Sequence, residues 1–224
     1  MKYKVIIPAR KGSKRLPGKN LRVLNDKPLI QYSIEYALNY FNRDDVWVNS
    51  DCDEILGFAS NMNVNIYNRP SSLGGDKVTT VDVLKEQLAF LFEQEINIDA
   101  IILLQPTNPL RKKDLLKNCI EFFESSKRNS LATFSEQEKK IGKIVDEKFY
   151  PQNYVPGQRS QDLERKYFEN GSIYIVKTES IKKGDIITND VYPFIDNSIE
   201  SSIDIDYYED FLLAEAILNL NKNK

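Results

Sequence analysis

Histidine is absent from all 224 residues. That one absence removes Ser-His-Asp and Cys-His nucleophile systems, histidine-ligated zinc and imidazole acid–base catalysis together. Cysteine is scarce: Cys52 and Cys119 are too widely spaced to read as a zinc-ligand pair, and so few thiols fit a reducing compartment without a disulfide. No apolar run approaches the ~20 residues that span a bilayer. Met1 leads almost directly into a strand-like segment, so neither a signal peptide nor a membrane anchor is expected, and the expected location is cytoplasmic. Strong net charge is missing too: 31 Lys+Arg against 33 Asp+Glu leave −2, which argues against nucleic acid as a partner. The available chemistry is that of carboxylates, cations and amides, with a hard metal ion as their natural complement.

With 41% hydrophobic and 29% charged residues, the composition is that of a globular protein, and the length suits one sizeable α/β domain over residues 1–224. Strand-like runs at Tyr3–Ile7, Val46–Asn49, Val64–Tyr67 and Ala100–Gln105 alternate with helical periodicity. Leu29, Ile30, Ile34, Ala37, Leu38 and Phe41 mark one helix; Val81, Leu84, Leu88, Leu91 and Phe92 a second; Leu115, Leu116, Cys119, Ile120 and Phe123 a third. Repeated strand–helix order predicts a Rossmann-like, mostly parallel sheet with helices on both faces, and ligands at the carboxyl ends of its strands. Tyr32, Tyr36 and Tyr40 read as a packing stripe. The rhythm breaks from Ile141 to Asp162, so residues 141–170 read as an excursion from the core. Ser172–Val176 then returns as a strand, and Phe211–Leu220 closes as a helix.

The segment Ile7-Pro8-Ala9-Arg10-Lys11-Gly12-Ser13-Lys14-Arg15-Leu16-Pro17-Gly18-Lys19-Asn20 places five cations and two glycines directly behind a strand. Backbone N–H groups of such a loop can turn toward an anion while Arg and Lys neutralise it. It is not a Walker loop, because Gly12 and Gly18 are one residue too far apart and Asn20 stands where Ser or Thr would bind Mg²⁺. By charge alone, a solvated basic loop is an equally good reading. Near the other end, Asp204 and Asp206 alternate with Ile203 and Ile205. In an extended segment both carboxylates share one face, where they can hold a hard cation, or simply face water.

Six segments in order resemble the acylneuraminate (CMP-sialic acid) cytidylyltransferase family: Pro8-Ala9-Arg10-x-Gly12-Ser13-Lys14 with Lys19-Asn20; Ser50-Asp51; Arg69-Pro70 with Asp76 and Thr79-Thr80; Gln105-Pro106-Thr107-Asn108-Pro109-Leu110-Arg111; Arg159-x-Gln161-Asp162-Leu163 leading to Asn170-Gly171-Ser172-Ile173-Tyr174; and Asp204-Ile205-Asp206. The resemblance implies a nucleotide-diphospho-sugar transferase type of fold. It also implies transfer of a cytidylyl group from CTP to the anomeric hydroxyl of a nonulosonic sugar acid, with pyrophosphate released. Arg10, Ser13, Lys14 and Lys19 would contact the triphosphate, and Asn20, Arg69 and Thr80 the cytosine and ribose. Gln105 and Tyr174 would meet the sugar acid, with Lys143 and Arg159 attracting its carboxylate from an arm that dimerises and shares active sites. Asp204 and Asp206 would hold Mg²⁺ or Mn²⁺; Lys19, Arg10 and Asp206 would carry the catalytic roles, with the hydroxyl proton going to Asp206 or to a metal-bound hydroxide. By residue type alone, Arg69 reads equally as a surface arginine, Asn20 and Thr80 as caps or loop hydrogen-bonders, and Tyr174 as core.

The pattern departs from the family on the sugar side. Phe168 stands where the sialic-acid enzymes often carry Arg, and Ile186-Ile187-Thr188 where they carry an aromatic pair. N-acetylneuraminic, legionaminic or a related acid all remain open as acceptor. Two alternatives stand beside this reading: an eight-carbon KDO cytidylyltransferase, whose first motif Arg15-Leu16-Pro17-Gly18-Lys19 also resembles, and a noncatalytic nucleotide-binding module.

Overall fold

A computed structural model of the chain describes residues 1–137 and 139–222. Its elements run β1 (Tyr3–Pro8), β2 (Val23–Leu24), β3 (Lys27–Pro28), α1 (Leu29–Leu38), β4 (Val46–Ser50), α2 (Asp53–Asn61), β5 (Asn65–Asn68), α3 (Thr80–Glu93), β6 (Ala100–Leu103), α4 (Leu115–Ser126) and β7 (Ser130–Gln137). They continue β8 (Gly142–Val145), β9 (Lys148–Pro151), β10 (Lys166–Lys177), α5 (Thr178–Lys183), β11 (Tyr192–Ile195) and α6 (Tyr208–Lys222). The main sheet has seven strands in the order β11-β7-β10-β6-β1-β4-β5. β1 pairs in parallel with β4 and β6, β4 with β5 and β11 with β7, while β10 is antiparallel to both neighbours.

The apolar run of β1 follows from burial on both faces. Val5 and Ile7 face one cluster with Ile30, Ile34 and Ala37 of α1, Ile55 and Ala59 of α2, and Leu116 and Cys119 of α4. Ile6 points the other way, into a cluster with Leu84, Leu88 and Leu91 of α3 and Ile181 of α5. The two-residue side-chain period thus divides one strand between two cores. From β1 the chain steps outward through β4 and β5 and then returns to place β6 on the other side of β1, so the strand order reverses there. A crevice opens beyond strand ends at such a reversal.

A third cluster fixes the functional loops. Leu16 of the basic loop, Leu24, Leu29 and Leu110 pack with Ile203, Ile205 and with Phe211, Ala214 and Ile217 of α6. Ile203 and Ile205 are buried while Asp204 is exposed and Asp206 partly exposed, the alternation expected of an extended segment. This burial docks the C-terminal aspartates beside a loop almost two hundred residues earlier. On the other side of the cleft, α3 begins with a capping box: Thr79 Oγ1 accepts from the Asp82 N–H at 3.3 Å, and Asp82 Oδ2 accepts from the Thr79 N–H at 3.1 Å. These bonds satisfy two polar groups that a helix start otherwise leaves open.

The stretch from Ile141 leaves the sheet as expected: β8 and β9 form their own two-stranded ladder. β10, however, begins at Lys166, so the main sheet reclaims the chain before residue 170. Of the tyrosine row, Tyr36 is buried and its hydroxyl donates to the Lys112 carbonyl and accepts from the Leu116 N–H, both at 3.0 Å. Tyr32 donates to the Leu24 carbonyl at 2.7 Å. Among the described residues no helix is long and apolar enough to cross a membrane.

Candidate active site

At the carboxyl ends of β1 and β6 lies a cleft of about 550 Å³ lined by Arg10, Ser13, Lys14, Arg15, Lys19, Asn20, Arg69, Asp76, Thr80, Gln105 and Asp206, among others. Nine of the residues singled out from the sequence therefore converge. Lys19 is buried, with its Nζ 2.6 Å from the Ile205 carbonyl and 3.1 Å from Asp206 Oδ1. Arg15 occupies the other oxygen of the same carboxylate, Nη2 to Oδ2 at 2.9 Å, and lies over the Tyr207 ring at 5.3 Å. The backbone enters this arrangement through Gly18, whose φ of 67° lies in the left-handed region that glycine adopts without steric cost.

Arg69 is the most informative member. It is 6% exposed, donates from Nε to Asn49 Oδ1 at 2.7 Å and from Nη2 to the Asn49 carbonyl at 3.1 Å, and has no ion-pair partner among the described residues. Burial lowers its pKa from the ordinary value. Two of its five N–H groups are thus committed, leaving donors at the cleft wall for a ligand acceptor. A surface arginine it is not. Asn20 is also buried, and its amide donates to the Arg10 carbonyl at 3.0 Å, so it braces the basic loop at the cleft wall. Thr80 is not a cap, a role taken by Thr79; it is the first residue of α3 and lines the cleft.

Asp76 binds two of the cations: Oδ1 to Arg10 Nη1 at 3.0 Å and Oδ2 to Lys14 Nζ at 2.6 Å. The hydrogen bond from Lys14, joined by Arg10, holds its carboxyl below the usual range. Asp51 stabilises the same corner by accepting from the Lys11 N–H at 2.7 Å.

Beneath Gln105, a network shapes this side of the cleft. Arg111 donates to the Gln105 carbonyl at 2.9 Å, the Ser172 carbonyl at 2.8 Å and Ser33 Oγ at 3.1 Å; removal from water lowers its pKa to about 10. Asn108, fully buried, donates from one amide nitrogen to the Asn170 carbonyl at 2.9 Å and the Ile203 carbonyl at 2.8 Å. It ties the loop after β6 to β10 and to the aspartate segment. Asp204, next but one to Asp206, is exposed and does not itself line the cleft. Protein crowding around its carboxyl and the neighbouring Asp206 raise its pKa, against the opposing pull of a Thr107 hydrogen bond.

Besides Asp204, three expected residues are not at the cleft wall. Tyr174 is buried in the α3-side core, where its aromatic ring gains more from packing than from solvent. Lys143 lies exposed on β8, and Arg159, also exposed, is engaged by Asp162 of the same turn, at 2.7 and 3.1 Å. Conversely, the place of Arg15 in the site and the ion-pairing role of Asp76 emerge only in the structure. Arg15 belongs to the basic run evident in the sequence, yet only the fold distinguishes which of its cations reach Asp206. The two carboxylates of the Asp-x-Asp segment are hard donors suited to Mg²⁺ or Mn²⁺, which keep water and substrate oxygens as further ligands. Among the described residues no cluster of three or more metal-ligating side chains exists, so this donor set fits a cation that arrives with a polyphosphate rather than a closed structural site.

Fold and cleft define an α/β protein with a cation-lined cleft at the reversal of its strand order. The sequence profile of the family described as Cytidylyltransferase matches residues 4–223, and the chain belongs to that family. It is similar to an N-acylneuraminate cytidylyltransferase of Streptococcus agalactiae, at 34% identity over 95% of this chain and 52% of the relative. The chain thus spans about half the length of that relative. It is also similar to a CMP-N,N'-diacetyllegionaminic acid synthase of Legionella pneumophila, at 32% identity over 99% of this chain and 98% of the relative. A solved CMP:2-keto-3-deoxy-manno-octonic acid synthetase complexed with CTP shares the fold, with a TM-score of 0.72, 17% identity, and coverage of 99% of this chain and 100% of that one.

Proposed function

We propose that the chain transfers a cytidylyl group from CTP to a nine-carbon 2-keto sugar acid of the N-acetylneuraminic or legionaminic type, giving a CMP-sugar and pyrophosphate. One observation carries this reading: the cations Arg10, Lys14, Arg15 and Lys19, the buried Arg69 and the acceptor-side Gln105 and Asp206 meet in one cleft. The relatives named for sialic and legionaminic acids support the acceptor class.

Arg10, Ser13, Lys14 and Lys19 take the triphosphate, and Arg10 and Lys14 exchange Asp76 for phosphate oxygens as it enters. The spare donors of Arg69, with Asn20 and Thr80, read the cytosine and ribose. Gln105 orients the sugar acid so that its anomeric oxygen meets the α-phosphorus opposite the pyrophosphate leaving group. The new bond is O–P, the broken one is the P–O bond to pyrophosphate, and the hydroxyl proton leaves at the Asp206 end. Alignment and neutralisation of charge supply the rate enhancement, which is why no histidine is needed. Asp204 and Asp206 would hold Mg²⁺ or Mn²⁺, which when bound neutralises phosphate charge.

The arm supports a two-fold dimer. Ile144 is 75% exposed, Val155 70% and Phe149 51%, and Lys143 and Arg159 sit on the same excursion, outside their own cleft. In the dimer these two cations serve the partner's acceptor site. A location in the cytoplasm, where CTP is made, completes the reading.

The test is pyrophosphate release with CTP, Mg²⁺ and a panel of N-acetylneuraminic, legionaminic and KDO acids. Turnover with a nine-carbon acid at least tenfold above KDO supports the assignment. KDO as best acceptor would replace it with the eight-carbon reading, and nucleotide binding without turnover on any acid with the noncatalytic one.

A further inference from the structure

The acceptor side carries a carboxylate to which the reaction above gives no task. Glu169 lies in β10 opposite Phe134, immediately before the register shift that separates it from Tyr174, which lies opposite Ala132. Phe134 and Ala132 are two apart on one strand, so Glu169 and Tyr174 share a sheet face, the face of the α3-side core above which the cleft opens. The intervening Gly171 has φ 77°, and a Cβ there would lie 2.8 Å from Asn108 Oδ1 and 3.4 Å from Gln105 Oε1. The bulge bearing Glu169 therefore abuts the residue that orients the sugar acid.

Two facts set this carboxylate apart. First, it is exposed yet has no ion-pair partner among the described residues, although cations lie close in sequence: Arg165 pairs with Glu136 at 3.5 Å and Lys166 with Glu164 at 2.7 Å. Second, it is held in place, because the Tyr174 hydroxyl donates to its Oε2 at 3.2 Å. Burial, then the charges of Glu169 and Asp204, push the Tyr174 pKa up, so this hydroxyl stays a donor. A carboxylate has about four acceptor positions, and Tyr174 fills one. A fixed, unneutralised carboxylate beside a binding site repels anions and accepts from O–H and N–H groups.

Building on the cytidylyltransferase reading, we propose that Glu169 is an acceptor-specificity residue, receiving hydrogen bonds from hydroxyl or amide N–H groups on the part of the sugar acid remote from its own carboxylate. Glu169 and Asp204 both lie near the Tyr174 hydroxyl, and negative charge on this side drives the sugar carboxylate to the other, so one carboxylate sets both what is recognised and which way round it lies.

The experiment is steady-state kinetics of wild type, Glu169→Gln, Glu169→Ala and Glu169→Asp with saturating CTP and sugar acids differing by one hydroxyl or one N-acyl group. Loss of a hydrogen bond to a charged acceptor corresponds to roughly 10- to 100-fold. The acceptor KM of Glu169→Ala is therefore expected to rise by about that factor, with the CTP KM within twofold, kcat much less affected and partial recovery in Glu169→Asp. Wild-type preference for the donor-bearing acceptor should collapse in Glu169→Ala. An unchanged acceptor KM, or CTP and acceptor KM rising together, would overturn the inference while leaving the enzyme reading intact. Wild type inactive on every sugar acid would overturn both, and CTP binding by the Glu169→Ala variant guards against misfolding as the cause of any loss.

Discussion

Lys19 and Asp206 are 187 residues apart in sequence, and their charged atoms stand 3.1 Å apart in the cleft, with Arg15 on the second carboxylate oxygen. The third hydrophobic cluster enforces this meeting by burying Leu16 against Ile203 and Ile205. Electrostatic preorganisation of this kind is the main lever available to a site without histidine.

Asp206→Asn and Asp204→Asn are each expected to lower turnover at least ~100-fold, the scale of losing a key electrostatic stabiliser. In Asp206→Asn the side-chain amide would still offer Lys19 an acceptor oxygen, so thermal stability should change little. Activity is measured as pyrophosphate release across a Mg²⁺ titration. Wild-type rates maintained in excess chelator would refute the metal-holding role of the pair.

Arg69→Met is expected to raise the CTP KM by roughly 10- to 100-fold, the cost of one charged hydrogen bond or two, while wild type prefers CTP to UTP by about 1–3 kcal/mol per mispaired buried group. Specificity constants for CTP, UTP and ATP decide it. Equal constants for CTP and UTP in wild type would mean that Arg69 does not face a base.

Gly171→Ala places a side chain at φ 77° and 2.8 Å from Asn108 Oδ1, and Asn108 is anchored by two carbonyls and cannot readily yield. Left-handed backbone alone costs about 1–2 kcal/mol for an L side chain, and each kcal/mol lowers Tm by about 2–4 °C at this size. Calorimetry should therefore find a Tm several degrees lower, with the acceptor KM rising more than that for CTP. An unchanged Tm would show that the bulge relaxes freely.

The sheet, its helices and the basic loop are legible in the sequence because they rest on local rules: apolar runs, three-and-four periodicity and glycine behind a strand. The strand expected at Ser172–Val176 is longer in the structure. Its first third, Lys166–Glu169, is exposed and flanked by charges, so it lacks the apolar pattern that marks a buried strand. Likewise, an arginine 6% exposed looks the same in sequence as one in solvent, and the convergence of Arg69 with Asn49 depends on the parallel pairing of β5 with β4. The contacts of Arg15 and Asp76 are hidden for the related reason that ion-pair choice within a charged loop is a tertiary property.

Arg159→Ala and Asp206→Ala homodimers should each be poorly active. If the arm serves the partner, a mixed dimer gathers both lesions into one site and leaves the other wild type, so activity should recover to about half per mixed dimer, given independent sites. Subunit exchange is followed by differential tagging. Exchange without recovery would place Arg159 in its own subunit or outside the site.

Asp76, bridging Arg10 and Lys14, gives the cleft an internal counterion. Under the proposed function, phosphate entry is then ion exchange rather than capture by bare positive charge, and a ligand succeeds only by displacing a tethered carboxylate that never diffuses away. Free orthophosphate brings few contacts to that contest, whereas a triphosphate reaches Lys19 and the loop N–H groups as well. The loop's abundance of cations is thereby compatible with a cell full of small phosphates: discrimination among anions begins before the base is read.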